Sequence, residues 1–270
     1  MKQNEQALPK ERYQVFVTTH RGMVRANNED NFTINGISKK IEIKNTDFAQ
    51  VFDAPLLAAV FDGMGGESKG EYASYISSKV AKSLYYSLIE MPDTAMDLFV
   101  GEFVQRANNE IRAFLEENHC NTGGSTVVAA IFRQGVAYPF SIGDSRIYYW
   151  HDEQLTQISK DQTLAMKKYE ANIYTLEEAE KSLDSHKLTS FLGADYYRRG
   201  LEPQYYAPLS IQGNDKLLLC SDGLYDELSL DEIREVISKY PDNPTMELVK
   251  AALKNGGGDN VTCVLIEREK

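Results

Sequence analysis

The most informative stretch of this chain is an apolar run that stops at an aspartate among glycines, namely Leu56-Leu57-Ala58-Ala59-Val60-Phe61 followed by Asp62-Gly63-Met64-Gly65-Gly66. Six consecutive apolar residues bounded by turn residues are typical of a strand that is buried on both faces. Gly63 has no side chain to block its own carbonyl, so that oxygen is free to become a ligand in a sharp turn. We therefore expect a buried strand that delivers one carboxylate and one carbonyl oxygen to the same place.

Three further aspartates repeat this arrangement. They are Asp144 after the run 140–143, Asp222 after the run 217–221, and Asp259 between Gly256-Gly257-Gly258 and the run 261–266. A single aspartate beside Gly or Asn is ordinary turn chemistry at the end of a strand. Four of them on strongly apolar strands predict a cluster of carboxylates, and such a cluster is unstable unless cations neutralise it.

The type of cation follows from the ligands available. The four histidines, His20, His119, His151 and His186, are not beside these aspartates in the sequence. Oxygen ligands alone favour a hard ion such as Mg²⁺ or Mn²⁺ over zinc or copper. The segment 21–30 follows the first predicted strand and contains arginine, whose guanidinium can bind a phosphate through two hydrogen bonds. Together these features indicate a metal site that handles phosphate.

Other phosphate chemistries lack their residues. A cysteine phosphatase needs an arginine six residues after its cysteine, and those positions hold Thr126, Asp226 and Glu269. The sequence contains no Gly-Lys dipeptide and no GxGxxG, which excludes the usual nucleotide loops. It contains no GxSxG turn for a serine nucleophile either. The default nucleophile is therefore a water activated by metal.

Composition limits the partners and the location. The 270 residues carry a formal net charge of −11, a balance that disfavours nucleic acid as a partner. Three cysteines, with no CxxC pair, fit a reducing cytosol. No apolar run approaches the roughly 20 residues that a membrane span needs. We expect a cytoplasmic protein without membrane attachment, with residues 1–12 as a disordered polar arm and 13–270 as one domain.

Strand-like and helical segments occur in blocks. The predicted strands are 13–19, 56–62, 125–132, 136–142, 146–150, 216–221 and 260–266, and the predicted helices are 70–89, 94–118, 230–239 and 245–255. Thr175 and Glu178 form a capping-box pattern that opens a further short helix. Blocks of this kind differ from the strict alternation of a doubly wound parallel sheet. They favour an α+β layered sandwich, with largely antiparallel sheets covered by helix pairs.

The ordered motifs resemble the metal-dependent protein phosphatases of the PPM (type 2C) group in their bacterial form. The residues that carry this resemblance, from about Thr18 to Leu265, are Arg25-Ala26-Asn27-Asn28-Glu29-Asp30, Asp62-Gly63-Met64-Gly65-Gly66, Gly124-Ser125-Thr126, Gly143-Asp144-Ser145-Arg146, Leu188-Thr189 before Leu192-Gly193, Ser221-Asp222-Gly223-Leu224, and Gly258-Asp259-Asn260 with Thr262. Each motif alone is a weak signal, whereas seven in order are a strong one. The resemblance implies a four-layer sandwich, in which two mostly antiparallel β-sheets are flanked by antiparallel helix pairs.

The resemblance also implies a set of metal ligands. Asp62 would bridge two Mn²⁺ or Mg²⁺ ions, and the Gly63 carbonyl would complete the shell of one of them. Asp222 and Asp259 would hold the second ion, and Asp144 with Asp222 would form the family's site for a weaker third ion.

The catalytic roles are implied in the same way. Arg25 would clamp the substrate phosphate, while Glu29 and Asp30 would act through metal-bound waters. A water or hydroxide between the two ions would attack phosphorus in line. Met64 stands where eukaryotic members have a histidine that is the proposed general acid, so a water would have to protonate the leaving alcohol.

The expected function is hydrolysis of phosphoserine and phosphothreonine in proteins. Substrates would include a serine/threonine kinase, and we expect a monomer. Two alternatives remain open, an inactive regulator that only binds phosphoproteins and a metal phosphohydrolase for small phosphate esters. The segment 164–186 falls where bacterial members carry a mobile flap, although a solvated surface helix would look the same. The segment 35–52 is a long connection to which we assign no function.

Overall fold

The computed structural model describes residues 11–65, 69–92, 95–120, 122–195 and 201–269. In these ranges the strands are β1 Arg12–His20, β2 Asn31–Ile34, β3 Thr46–Asp53, β4 Leu56–Phe61, β5 Gly63–Met64, β6 Gly124–Ser125, β7 Val127–Arg133, β8 Val136–Ile142, β9 Arg146–His151, β10 Gln154–Gln157, β11 Gln204–Tyr205, β12 Leu209–Ser210, β13 Lys216–Cys220 and β14 Val261–Arg268. The helices are α1 Gly70–Glu90, α2 Met96–Glu117, α3 Leu164–Glu170, α4 Leu176–Lys181, α5 Asp222–Tyr225, α6 Leu230–Lys239 and α7 Pro244–Asn255. Most of the expected N-terminal arm, residues 1–10, lies outside the described residues, and β1 already begins at Arg12.

Two antiparallel sheets form the centre of the molecule. The first sheet has the order β10-β9-β13-β14-β1-β3, and the second has the order β11-β8-β7-β4-β2, with β12 also paired to β8. Every strand pair in both sheets is antiparallel. The central pairs are long and in regular register, as between Val15 and Ile266 on β1 and β14. The predicted antiparallel sheets are confirmed.

Side chains from facing sides of the two sheets form the inner core. Val17, Leu219 and Val264 of the first sheet pack with Val60 and Val128 of the second. Because β4 and β7 also bury their other faces, their sequences are apolar throughout rather than alternating.

Helix pairs cover the two outer faces. Phe99 and Phe103 of α2 pack with Leu84 of α1 against the second sheet, in one continuous apolar cluster. Ile233 of α6 and Leu248 of α7 pack in the same way on the first sheet. The order of layers is therefore helices, sheet, sheet, helices, which confirms the predicted four-layer α+β sandwich.

The main difference from the sequence prediction lies in the segment 35–52. It contains most of β3, which pairs with β1 along the edge of the first sheet, from Arg12 opposite Asp53 to Thr19 opposite Thr46. This strand is mostly exposed or half-buried, so its sequence lacks an apolar run. The segment 164–186 forms the two short helices α3 and α4, and the predicted capping box of Thr175 and Glu178 is present. Among the helices described, none is long and apolar enough to cross a bilayer.

Candidate metal and phosphate site

The four predicted aspartates lie where strands of both sheets end or begin. Asp62 follows β4 and Asp144 follows β8, both in the second sheet. Asp222 follows β13 by two residues as the first residue of α5, and Asp259 precedes β14, both in the first sheet. The sandwich therefore brings the aspartates to one end of the interface between its sheets.

Mutual repulsion among these carboxylates is visible in the pKa of Asp62. Burial raises this pKa well above the ordinary value, and the charges of Asp222, Asp30, Asp144 and Asp259 raise it further. The pKa of Asp222 is also raised well above its ordinary value, first by burial and then by Asp144 and Asp259. Carboxylates that resist ionisation to this extent need a source of positive charge. The donor set therefore fits divalent cations.

Asp30 and Asp144 share this environment. Burial raises the pKa of Asp30 to about 6, even though the hydroxyls of Ser221 and Thr262 oppose the shift. Burial and the charge of Asp161 raise the pKa of Asp144 to about 7. Both residues are almost completely enclosed, so their charges also need compensation by nearby cations.

Gly63 occupies a position where only glycine fits. A Cβ at this residue would lie 2.2 Å from the carbonyl oxygen of Gly70 and 2.5 Å from that of Glu29. The turn after Asp62 thus packs directly against the start of α1 and against the loop that carries Glu29. Ser74 of α1 also donates a hydrogen bond of 2.5 Å to the Glu29 carbonyl. The predicted position of the Gly63 backbone beside the carboxylates is consistent with this packing.

Asn260 and Ser221 attach the loop 21–30 to the predicted metal ligands. The Asn260 side chain accepts a hydrogen bond of 2.7 Å from the Glu29 amide and donates to the carbonyls of Arg21 and Asn27. The Ser221 hydroxyl donates to Asp30 Oδ2 over 2.7 Å. Asn260 follows the predicted ligand Asp259, and Ser221 precedes the predicted ligand Asp222. The role of these two residues in positioning the loop was not predicted.

Arg25 is on the open side of the site. Its side chain is 56% exposed, and Nη2 donates to Asp259 Oδ2 over 2.6 Å. Glu29 lies nearby, and burial together with the charge of Glu71 raises the pKa of Glu29 to about 7. The structure therefore brings all eight predicted site residues to one region and places the cationic residue, Arg25, at its solvent-exposed edge.

Residues 44–255 match the family model described as Protein phosphatase 2C. The chain belongs to this family. The resemblance to the PPM (type 2C) family that the sequence motifs predicted is thereby confirmed.

Relatives and solved structures from bacteria agree with this membership. The serine/threonine protein phosphatase PstP of Mycobacterium tuberculosis is 32% identical over 250 residues, which are 92% of this chain but 43% of the relative. The chain thus spans less than half the length of that relative. The serine/threonine phosphatase stp of Listeria monocytogenes is 29% identical over 255 residues, covering 93% of this chain and 94% of the relative. The solved catalytic domain of PstP in complex with two manganese ions is 29% identical, with a TM-score of 0.72, and the match covers 96% of this chain and 100% of that one.

Two side chains of this phosphatase 2C site were missed by sequence reasoning. His186, which follows α4, has a ring nitrogen within 4.8 Å of carboxylate oxygens of Asp222 and Asp226, which also lie within that distance of each other. Tyr225 donates a hydrogen bond of 3.1 Å to the Asp144 carbonyl, and the Arg146 guanidinium lies 3.6 Å from the centre of its ring. His186 is distant in sequence from every predicted ligand, so no local pattern indicated it. Tyr225 stands three residues after Asp222, yet only the fold shows what it contacts.

Proposed function

We propose that this protein hydrolyses phosphoserine and phosphothreonine in other proteins. The observation that carries the proposal is the cluster of Asp62, Asp144, Asp222 and Asp259 from two sheets with the exposed Arg25 at its edge. An arginine beside carboxylates that hold divalent cations is suited to binding a phosphate dianion. The membership of the phosphatase 2C family supports the same reaction.

The proposed metal ligands are those indicated by the motifs. Asp62 and the Gly63 carbonyl would hold one Mn²⁺ or Mg²⁺ ion, and Asp62, Asp222 and Asp259 would hold the second. When bound, the two ions would lower the pKa of water so that it can act as the nucleophile, and would offset the charge of the phosphoryl oxygens.

The chain's own residues bind and orient the substrate. The two terminal nitrogens and the Nε of Arg25 form a planar fork that matches two phosphate oxygens. Glu29 and Asp30 orient water at the site, with Asp30 held in place by the Ser221 hydroxyl. Met64 carries no proton that it could donate, so the leaving alcohol takes its proton from water.

A third and weaker metal ion belongs to the same proposal. The sequence motifs assign Asp144 and Asp222 to it. His186 and Asp226 lie close enough to Asp222 to contribute further ligands. An imidazole in this position would widen the choice of metal beyond the hard ions, because histidine also suits zinc and the later transition metals.

The remaining proposals concern the molecule as a whole. We propose that residues 13–270 form a single catalytic domain, that 164–186 is a flap beside the site, and that the protein is a cytoplasmic monomer. The two buried free cysteines, Cys220 and Cys263, fit a reducing compartment. Phosphorylated proteins, including a serine/threonine kinase, are the proposed partners.

The test is release of phosphate from a phosphothreonine peptide by the purified protein. Manganese-dependent release that is lost in EDTA and in the Asp222→Asn variant is the expected result. Faster turnover of nucleotides or small phosphate esters than of the peptide would replace the proposal with a small-ester phosphohydrolase. Absence of release with any divalent ion would replace it with a regulator that only binds phosphoproteins.

A further inference from the structure

The segment 39–45 lies between β2 and β3 and is hydrogen-bonded near both of its ends to the segment 21–31, which carries Arg25, Glu29 and Asp30. At one end, Asn31 exchanges two hydrogen bonds with the backbone of Lys39, at 3.0 and 3.1 Å. At the other end, the Arg21 amide donates to Asn45 Oδ1 over 3.0 Å. We call residues 39–45 the brace. It lies in the connection for which the sequence suggested no function.

Two of the three lysines of the brace, Lys39 and Lys44, donate to carbonyls of the loop. Lys44 Nζ donates to the Ala26 carbonyl over 2.9 Å, and the side chain of Asn28 donates to the Lys44 carbonyl over 2.7 Å. Lys39 Nζ donates to the Asn28 carbonyl over 3.0 Å. Asn28 in turn accepts a hydrogen bond from the Asp30 amide over 3.0 Å. The position of Asp30 is therefore connected to both ends of the brace.

Lys39 differs from an ordinary surface lysine because it is only 4% exposed. A buried ammonium is costly unless acidic groups or hydrogen-bond acceptors surround it. Desolvation lowers the pKa of Lys39, whereas the charges of Asp30, Glu71 and Glu42 oppose that shift. The acidic groups around Lys39 thus include Asp30, one of the predicted site residues, and Glu71, whose charge raises the pKa of Glu29.

We propose that Lys39 is a positioning residue of the metal and phosphate site. Its buried ammonium fixes the loop at Asn28 and offsets the charge of Asp30 and Glu71. This inference rests on the proposed function, since it concerns the same carboxylates. A fixed cation at this position stabilises the site before divalent ions bind and repels those ions when they do. Lys39 therefore orders the loop and at the same time lowers the affinity of the site for the metal.

The experiment measures Mn²⁺ binding to the full chain by isothermal titration calorimetry. Lys39→Met removes the charge and the donor, Lys39→Gln removes the charge but keeps a donor, and Lys39→Arg keeps the charge. Lys40→Met is the matched control, because Lys40 is the exposed neighbour and its loss changes the net charge equally. We expect both neutral variants to bind Mn²⁺ more tightly than the wild type, by about fivefold, because a unit charge acts on a divalent ion across a partly screened site. Lys39→Arg and Lys40→Met are expected to retain the wild-type affinity within about twofold.

A purely structural role gives a different result. If Lys39 only fills space, all variants lose stability equally in EDTA and in Mn²⁺, and the Mn²⁺ affinity is unchanged. Unchanged or weaker Mn²⁺ binding by both neutral variants would overturn the inference. If the neutral variants do not fold in EDTA, recovery of the wild-type circular dichroism on addition of Mn²⁺ supports it, and failure to fold with Mn²⁺ overturns it.

The same measurements distinguish failure of the proposed function from failure of the inference about Lys39. Wild-type protein that binds Mn²⁺ but releases no phosphate from any substrate contradicts the phosphatase proposal and leaves the comparison of the Lys39 variants valid. Wild-type protein that binds no Mn²⁺ contradicts both.

Discussion

Arg25 and Asp259, which are 234 positions apart in the chain, are joined by a hydrogen bond of 2.6 Å between Nη2 and Oδ2. The bond links the proposed phosphate clamp to a proposed metal ligand. A carboxylate oxygen that accepts from Arg25 is less available to a metal, and a guanidinium nitrogen that donates to Asp259 is less available to phosphate. Binding of metal and substrate must therefore redistribute these contacts, and Arg25 is free to move because more than half of its side chain is exposed.

The first prediction concerns the geometry of Arg25. Arg25→Lys keeps the charge but loses the planar fork, so we expect kcat/KM for a phosphothreonine peptide to fall about 10- to 100-fold, the size of a lost charge-assisted pair. Steady-state kinetics at saturating Mn²⁺ measures this. Arg21→Lys is the control, because the Arg21 guanidinium donates to the Arg25 carbonyl rather than facing Asp259. Equal losses in the two variants would contradict the role of Arg25.

The second prediction concerns the loss of stability that repulsion among the carboxylates of the site causes. Asp222→Asn removes an ionisable group whose pKa is raised well above its ordinary value, first by burial and then by the charges of Asp144 and Asp259. We therefore expect this variant to lose activity and yet to unfold at a higher temperature than the wild type in EDTA, by a few degrees for about 1 kcal/mol.

Calorimetry in EDTA tests the stability change, and Asp231→Asn is the control. The side chain of Asp231 is 89% exposed, so its neutralisation is expected to leave the melting temperature unchanged. A melting temperature for Asp222→Asn at or below that of the wild type would show that the carboxylates of the cluster do not repel one another.

The sequence predicted those parts of the molecule in which a local pattern of residues has a single physical explanation. Continuous apolar runs predicted β4 and β7, because strands buried on both faces must be apolar. Turn chemistry located Asp62, Asp144, Asp222 and Asp259 at strand ends, and the order of the motifs indicated which of them belong together.

Features that depend on contacts between distant segments were not predictable in this way. His186 reaches Asp222 and Asp226 only because the chain returns to the site after α4. Lys39 looks like any surface lysine in the sequence, yet in the fold it is buried and donates to the Asn28 carbonyl of the loop. A polar edge strand carries no hydrophobic pattern, so neither β3 nor the brace beside it could be recognised.

The third prediction concerns pH. Burial raises the pKa of Asp144 to about 7, and that of Asp30 to about 6, above the values near 4 of the unfolded chain. Between those values the folded state holds protons that the unfolded state has lost. Stability in EDTA is therefore highest below about pH 4 with respect to these groups and decreases as the pH rises towards about 7.

Denaturant unfolding from about pH 4.5 to about pH 7.5, an interval that spans the unfolded and folded pKa values, measures this dependence with and without Mn²⁺. We expect Mn²⁺ to reverse the trend, because the ion binds the deprotonated carboxylates and stabilises the folded state more as the pH rises. Parallel pH profiles with and without Mn²⁺ would mean that the carboxylate cluster does not bind the ion.

The last prediction concerns His186 and the third metal. If its imidazole is a ligand together with Asp222 and Asp226, His186→Asn weakens the weakest Mn²⁺ site about 10-fold or more and leaves the two tighter sites unchanged, because Asp62 and Asp259 do not depend on it. The number of bound Mn²⁺ ions, followed by electron paramagnetic resonance during a titration, measures each class of site. His119→Asn is a suitable control, because His119 lies in the turn after α2 and is not grouped with carboxylates that could hold an ion among the described residues. A third site of unchanged affinity in His186→Asn would leave Asp144 and Asp222 as its protein ligands, as the sequence motifs alone imply.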